Sequence, residues 1–340
     1  MSLKALLFAI LFALPILNGL AHPAWGIAVD EQGNIYFTDI FHNERGSLWK
    51  LHFNGTLELL LSDFHAHNVS LDVDGNPVSA HGEEHHTMVR LKGSVVSDTL
   101  YSTTDIEEFF GGNCTYTKAG DILFGINKKI WRIDTEGNLS AISNHRFEWN
   151  QGLFSDTDGN VYAPDIGRDN GAVIKIDTSG QANVIATELI TLTNGEFDPH
   201  QDVLLGIGKD KEGWLYIAET AGKRIIKFSE EGERETFFTA EGDWFPCGIT
   251  FQNGSAYILE SKMDNGYEGP QITKVSVDGS SEVIFNYESY QAVKTTGTEE
   301  KNENDNETLN LFWISLGLVL IVLMALVIYR KLQPPLNKVS

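Results

Sequence analysis

The amino-acid sequence predicts an all-β fold, a six-bladed β-propeller, with an N-terminal signal peptide and a C-terminal transmembrane helix. Three observations predict it. Two alternating strands around a glycine turn recur six times, and each copy is followed by an apolar strand with a basic residue inside it. Long uncharged apolar runs occur at both ends of the chain. With 340 residues, 42% of them hydrophobic, the chain can bury a substantial core.

The first half of each copy is clearest in GIAVDEQGNIYFTD, residues 26–39, where two strands of alternating polarity flank a turn. The turn glycines of the six copies are Gly33, Gly75, Gly120, Gly159, Gly213 and Gly254. They follow one another at intervals of 39 to 54 residues, a period that is typical of propeller blades.

The second half of each copy supplies two more strands. The basic residues inside the third strand are Lys50, Arg90, Arg132, Lys175, Lys227 and Lys274. A second turn follows, with Gly55, Gly93, Gly137, Gly180, Gly232 and Gly279, and then another short strand. Four-stranded units bury both faces only by packing radially around an axis, so we expect six blades within residues 22–290.

The two ends predict where the protein resides. Residues 1–21 have the charged start, apolar run and small residues of a cleavable signal peptide. Residues 309–329 are uncharged and long enough, at about 1.5 Å per residue, to span a membrane as a helix. The basic tail, 330–340, predicts a cytoplasmic C-terminus, and 291–308 a disordered acidic stalk. The propeller is thus expected on the extracytoplasmic side, tethered to the membrane as a single-pass protein.

The composition excludes two classes of protein. The chain has 47 acidic and 25 basic residues, and a net charge of -22 opposes nucleic-acid binding. Two cysteines are too few for a disulfide scaffold or a four-thiolate zinc site. Cys114 and Cys247 begin opposite inner strands, so we expect buried free thiols. The expected partners are the membrane, through the C-terminal helix, and a small molecule or an extracytoplasmic protein.

The copies resemble NHL repeats, which share the Gly-apolar-Ala-Val-Asp strand seen at residues 26–30 and the Tyr-apolar-Ala/Thr-Asp strand seen at 36–39. They also resemble the senescence marker protein and gluconolactonase family. This resemblance implies calcium-dependent lactonase or esterase activity, with a cation held by Glu, Asn and Asp oxygens where the innermost strands begin. The family's asparagine would fall here on Trp25, His67, Gly112, Gln151, Leu205 and Pro246 or Cys247. None is a carboxylate, so the calcium cage is not reproduced residue by residue.

The leading hypothesis is therefore a module that binds a ligand or a protein where the innermost strands begin. The residues expected to bind are Trp25, Asn68, Trp149, Asn150 and Trp244. Aromatic side chains there could bind sugar rings or apolar ligands, or could instead plug the central tunnel.

The alternative hypothesis is a metal-dependent hydrolase of lactones or esters. Its oxygen ligands, for calcium, would be Asn150, Asp165, Glu219 and Glu260, with Asn68 nearby, and its general base would be His67 or His81. The three carboxylates end second strands, where an acid can instead accept hydrogen bonds from loop amides. A lyase resembling streptogramin lyases is a third hypothesis.

Three further features attract attention. The segment HGEEHH, residues 81–86, suits zinc, copper or nickel, or is a solvated loop. Residues 187–202 form an insertion expected to cover the mouth of the tunnel, with Glu196, Asp198 and His200 as candidate site residues. Asn-X-Ser/Thr sequons occur at Asn54, Asn68, Asn113, Asn138, Asn253 and Asn306.

Overall fold

The computed structural model describes residues 23–81, 86–104, 109–193, 195, 197–198, 201–263 and 267–291. These residues form 24 strands in six four-stranded antiparallel sheets, each built from four consecutive strands. The predicted six-bladed propeller is confirmed. Apolar side chains are buried between neighbouring sheets, as shown by Tyr162, Ile217 and Ile258 of three successive blades.

The strands are numbered in chain order, four to a blade. Blade 1 contains β1 (Ile27–Val29), β2 (Ile35–Asp39), β3 (Ser47–Leu51) and β4 (Leu57–Ser62). Blade 2 contains β5 (Ala66–Leu71), β6 (Pro77–His81), β7 (His86–Lys92) and β8 (Val95–Thr103). Blade 3 contains β9 (Phe109–Tyr116), β10 (Ile122–Ile126), β11 (Lys129–Ile133) and β12 (Leu139–Ala141).

Blade 4 contains β13 (Phe154–Ser155), β14 (Val161–Asp165), β15 (Ala172–Ile176) and β16 (Ala182–Ala186). Blade 5 contains β17 (Leu204–Lys209), β18 (Leu215–Glu219), β19 (Arg224–Phe228) and β20 (Arg234–Thr239). Blade 6 contains β21 (Trp244–Gln252), β22 (Ser255–Met263), β23 (Tyr267–Val275) and β24 (Ser281–Asn286).

All twelve predicted turn glycines have positive φ values, which explains why glycine recurs there. Asp30 shows how the turns are held. Its side chain accepts hydrogen bonds from the amides of Gln32 at 3.0 Å and Asn34 at 2.8 Å. The same pattern recurs at Asp72, Asp134, Asp156 and Asp177. Part of the acidic excess therefore stabilises turns.

The basic residues of the third strands also have a structural role. Lys50 lies opposite Tyr36 and places its ammonium group 5.1 Å from the ring centroid. Lys227 lies 4.4 Å from the Trp214 ring in the same way. Arg90 instead pairs with Asp72 at 2.9 Å. These contacts hold neighbouring strands together on the outside of the core.

The ring closes by packing rather than by an exchanged strand, since β1 contacts both β5 and β21. Gly248 of β21 lies against the Trp25 carbonyl oxygen, which would be only 2.2 Å from a Cβ atom at that position. The Gln252 amide also donates to the Asp30 carbonyl oxygen at 3.1 Å. Blades 1 and 6 therefore meet through close backbone contact.

Most of the segments predicted at the two ends of the chain lie outside the part that the structure describes. The predicted signal peptide (1–21), transmembrane helix (309–329) and tail (330–340) lie outside the described residues, as does the stalk beyond residue 291. Residues 287–291 are helical and belong to a second compact unit that starts at Tyr287. Within the described ranges, no helix has the length and apolar character needed to cross a membrane. These features stay predictions.

Replacing Gly248 by alanine should destabilise the closed ring, because the new methyl group would meet a backbone oxygen that cannot rotate away. Overpacking of this kind costs about 1–3 kcal/mol, or about 5 °C in melting temperature. Gly208→Ala is the control, since its nearest contact would be a milder 3.2 Å to the Ile249 carbonyl oxygen. Thermal unfolding checks the prediction, and equal melting temperatures for the two variants would contradict it.

Candidate functional site

The candidate site lies on the face where the innermost strands begin and the second strands end, called here the upper face and marked by Trp25, His67 and His81. A cavity of about 200 Å³ runs along the axis below it, lined by residues from all six innermost strands. Trp25 and Asn68 line the upper part of the cavity, and Lys209 lines its lower part.

Three buried histidines form a cluster at the upper face, called here the histidine cluster: His65, His67 and His81. The ring centroids of His65 and His67 are 4.6 Å apart, and those of His65 and His81 are 6.1 Å apart. The Trp25 indole meets the His67 ring edge-on, at 5.0 Å between centroids. The structure thus brings together three residues that the sequence singled out, together with His65, which it did not.

A backbone irregularity places His67 in this cluster. The pairing of β5 with β6 shifts register between Ala66 and Asn68, so His67 is an extra residue in the strand. Its carbonyl oxygen accepts hydrogen bonds from the amides of Trp25 at 2.8 Å and Gly26 at 3.0 Å. His67 is therefore held at the junction of blades 1 and 2, where both blades reach the cavity.

The predicted metal segment, residues 81–86, is described only at its two ends. His81 ends β6 and His86 begins β7, and both are buried. Residues 82–85 lie outside the described part of the chain. Among the described residues, no three His, Cys, Asp or Glu side chains are grouped so that they could hold a metal ion.

Trp25 provides a hydrogen-bond donor beside the histidine cluster. Only 3% of its surface is exposed, and its indole Nε1–H meets no acceptor among the described residues. A buried donor without an acceptor costs about 1–3 kcal/mol, so it is a natural position for a ligand oxygen. Gln151, at the corresponding place on the opposite blade, has a buried Oε1 with no donor from the described chain.

The two asparagines predicted to bind ligand form hydrogen bonds between and within blades. Asn68 donates from Nδ2 to the Cys114 carbonyl oxygen at 2.7 Å, which ties blade 2 to blade 3. Asn150 accepts from the side chain of Asn113 and donates to the Pro164 carbonyl oxygen at 2.9 Å. Asn150 has no exposed surface. Both the oxygen and the nitrogen of its side-chain amide are engaged, so Asn150 ties blade 3 to blade 4.

The carboxylates that end the second strands are also engaged. Asp165 Oδ1 accepts from the amides of Glu148 at 2.8 Å and Trp149 at 3.0 Å, and Oδ2 accepts from Arg168 Nε at 3.1 Å. Asp165 has no exposed surface, so both of its carboxylate oxygens are buried. Asp165 therefore fastens the loop that carries Trp149.

Glu219 fastens the insertion in the same manner. Oε1 accepts from the amides of Thr191 at 3.0 Å and Gly222 at 2.9 Å, and Oε2 accepts from Arg224 Nε at 2.8 Å. The sequence-based alternative, acids that bind loop amides, describes both residues. A calcium ion would have to displace a guanidinium group from each, so neither Asp165 nor Glu219 fits a calcium ligand.

Glu260 differs because no cationic side chain of the described chain pairs with it. It is buried and accepts from Gln271 Nε2 at 3.1 Å and from the Thr273 hydroxyl. Burial raises the pKa of this carboxyl despite those two hydrogen bonds. Its Oε2 already accepts from both donors, and the other three residues are engaged as described, so the predicted set of Asn150, Asp165, Glu219 and Glu260 does not fit the ion.

Aromatic residues cover another part of the upper face. The rings of Trp149 and Phe197 are nearly perpendicular, at 82°, with centroids 6.4 Å apart. Trp244 is half-buried at the start of β21 and lies over Gly269. Of the three tryptophans predicted to bind ligand, Trp25 is among the residues that line the cavity, whereas Trp149 and Trp244 are not.

The insertion is anchored at its base by Asp202, which the sequence analysis did not single out. Asp202 is fully buried, and its Oδ1 accepts from the amide of Thr193 at 3.1 Å and from the Thr193 hydroxyl at 2.6 Å. Its Oδ2 accepts from the amide of Asp198 at 2.8 Å. Asp198 therefore lies at the anchored base, while Glu196 and His200 lie outside the described residues.

Neither thiol contributes a nucleophile at neutral pH. Cys114 and Cys247 are free and buried in inner strands, as predicted. Burial raises the pKa of each thiol to about 12, so both stay protonated.

Comparison with known proteins places this fold. No protein-family model matches the chain, and no curated protein matches its sequence. Solved structures do match. A gluconolactonase from Xanthomonas campestris has 15% identity and a TM-score of 0.51, covering 70% of this chain and 83% of its own. Regucalcin from Agrobacterium tumefaciens, a calcium-binding protein, has 13% identity and a TM-score of 0.53, covering 72% and 85%.

A third similar structure is virginiamycin B lyase from Staphylococcus aureus, with 17% identity and a TM-score of 0.52, covering 79% of this chain and 86% of its own. The chain is a six-bladed β-propeller whose structural neighbours are gluconolactonase-like proteins, regucalcin and virginiamycin B lyase. At these identities the likeness extends to the fold alone.

Asp165→Asn and Glu219→Gln should each lower the melting temperature of the protein. For each variant, the decrease should be the same in calcium as in a chelator. Each change removes the charge from a buried acceptor, and a hydrogen bond to a charged group contributes about 1.5–3 kcal/mol. Glu235→Gln is the control, because its pair with Lys227 at 3.1 Å is largely exposed. Thermal unfolding decides the matter. If calcium stabilised the wild-type protein but not these two variants, Asp165 and Glu219 would be calcium ligands, and the prediction would be wrong.

Proposed function

We propose that the chain is a hydrolase of lactones or esters whose active site is the histidine cluster beside Trp25. The observation that carries the proposal is the packing of buried imidazoles against an indole donor at the mouth of the axial cavity. The gluconolactonase-like neighbours support a hydrolase, with the site at the same end of a propeller as the family resemblance implies. A histidine-to-alanine variant of the lyase neighbour is described as catalytically inactive, so a histidine is essential in that propeller.

The geometry suits a general-base mechanism. A His67 imidazole accepts a proton from water as the water oxygen attacks the carbonyl carbon of the substrate. The Trp25 indole N–H donates to the carbonyl oxygen as that oxygen gains negative charge. The carbon–oxygen bond of the ester then breaks, and the imidazolium returns its proton to the leaving alkoxide. His81 lies in the same cluster, and His65 links the two rings.

Calcium has no step in this mechanism. The resemblance implies a calcium ion held by side-chain oxygens, yet the oxygens of Asp165 and Glu219 already accept from arginine and backbone donors. The buried imidazoles packed beside the Trp25 indole are the groups at the upper face to which we assign the chemistry. We therefore assign base and donor roles to this chain's own residues.

A membrane-tethered binding module is the second candidate. The perpendicular pair of Trp149 and Phe197 favours it, because rigid aromatic surfaces bind sugar rings or apolar groups without any chemistry. The extracytoplasmic location, which residues 1–21 and 309–329 predict, is compatible with both candidate functions. The two differ in whether a bound ester or lactone is converted.

His67→Asn should lower kcat/KM by about 10²–10⁴-fold, because the general base is lost. The probes are dihydrocoumarin, an aromatic lactone, and phenyl acetate, an ester. Trp25→Phe keeps the packing and removes the N–H donor, so we expect kcat to fall by about 10²-fold with a smaller change in KM. His52→Asn is the control, since His52 pairs with Glu58 on the outer part of blade 1.

The outcomes separate the two candidates. Turnover that His67→Asn removes and His52→Asn retains supports the hydrolase. Turnover unchanged in His67→Asn and Trp25→Phe would overturn the site assignment. Binding of both probes to the wild-type protein without turnover would overturn the hydrolase and favour the binding module.

A further inference from the structure

The sequons of this chain fall into two structural groups. Asn54, Asn138 and Asn253 are exposed, whereas Asn68 and Asn113 are buried, at 8% and 0% exposure. Asn306 lies outside the described residues. Exposure matters because a transferred oligosaccharide must extend from the asparagine nitrogen into solvent.

All three exposed sequons lie on one face of the ring. Asn54 lies between β3 and β4, Asn138 between β11 and β12, and Asn253 between β21 and β22. The chain runs down the first and third strands of a blade and up the second and fourth. Both hairpin turns of every blade therefore lie opposite the upper face, on what we call the lower face.

In the two buried sequons the nitrogen that would carry a sugar bonds to another blade, whereas Asn138 Nδ2 bonds to Asp134 at 3.0 Å within its own exposed turn. Asn68 donates from Nδ2 to the Cys114 carbonyl oxygen at 2.7 Å, and Asn113 donates from Nδ2 to the Asn150 side chain. Asn113 Oδ1 also accepts from the Gly125 amide at 2.9 Å. A glycan at either position is incompatible with the contacts between the blades.

Each exposed sequon lies beside a large apolar side chain that faces solvent. Phe53, 78% exposed, directly precedes Asn54, and Leu139, 46% exposed, directly follows Asn138. Val277, 76% exposed, lies against Gly254, the residue after Asn253; a Cβ atom there would be 3.1 Å from the valine Cγ2. Each of these apolar side chains is therefore next to the position at which a sugar would be attached.

We propose that Asn54, Asn138 and Asn253 carry N-linked glycans whose first sugars cover Phe53, Leu139 and Val277, while Asn68 and Asn113 remain unmodified. The glycan donor is a polyprenyl-diphosphate-linked oligosaccharide. A bond forms between the asparagine Nδ2 and the anomeric carbon, the bond from that carbon to the diphosphate breaks, and Nδ2 loses a proton. The proposal rests on the predicted signal peptide, residues 1–21, and leaves the upper face free for ligands.

Site occupancy tests the proposal directly. The full chain, with its own residues 1–21, is expressed in cultured animal cells, and its peptides are analysed by mass spectrometry after enzymatic deglycosylation in heavy-oxygen water. We expect the label at Asn54, Asn138 and Asn253 and none at Asn68 or Asn113. Label at either buried position in the folded protein, or none at the three exposed positions, would overturn the proposal.

A second measurement tests the covering role. The triple variant Thr56→Ala, Ser140→Ala, Ser255→Ala loses the three sequons and keeps every asparagine. We expect its mobility on a gel to increase by an amount that corresponds to three glycans. The fluorescence of a hydrophobic dye mixed with it should rise severalfold. Ser70→Ala, which removes the Asn68 sequon, is the control and should show no change in gel mobility. Equal dye fluorescence with and without glycans would refute the covering role, whatever the hydrolase assays show.

Discussion

The innermost strands of neighbouring blades approach so closely at the upper face that a side chain rarely fits between them. Cβ atoms at Gly26, Gly152, Gly206 and Gly248 would lie 2.2 to 2.6 Å from backbone atoms of the next blade. The corresponding places in blades 2 and 3 hold Asn68 and Asn113, whose amides bridge to the following blade. This close approach closes the ring and decides which side chains can reach the axis.

The same constraint separates the polar groups that hold the ring from those that can act on a ligand. Loop amides and arginines bond to Asp165 and Glu219, and Asn150 bonds to Asn113 of blade 3 and to Pro164 of its own blade. At the upper face the imidazoles of the histidine cluster pack beside the Trp25 indole, whose N–H meets no acceptor among the described residues.

The sequence could predict the architecture because the information is local and repeated. Each turn glycine has positive φ, and third-strand cations such as Lys50 and Arg90 contact residues of the first half of their own blade. The site was harder because its contacts join distant segments. Whether Asp165 binds a metal or a loop depends on the Glu148 and Trp149 amides, and no spacing rule reveals that. His65 was missed, although the alternation His-Ala-His at 65–67 places two rings on one side of an extended segment.

The most direct test of this account is an NMR titration that follows the histidine ring signals of the protein. The titrant is the lactam analogue of dihydrocoumarin, which resembles the substrate and resists hydrolysis. Nitrogen–proton correlations of the ring atoms report each histidine separately. The account predicts that the resonances of His65, His67 and His81 shift together and saturate, while those of His52 stay in place. Binding of the analogue that leaves these three resonances unchanged would contradict the placement of the active site at the histidine cluster.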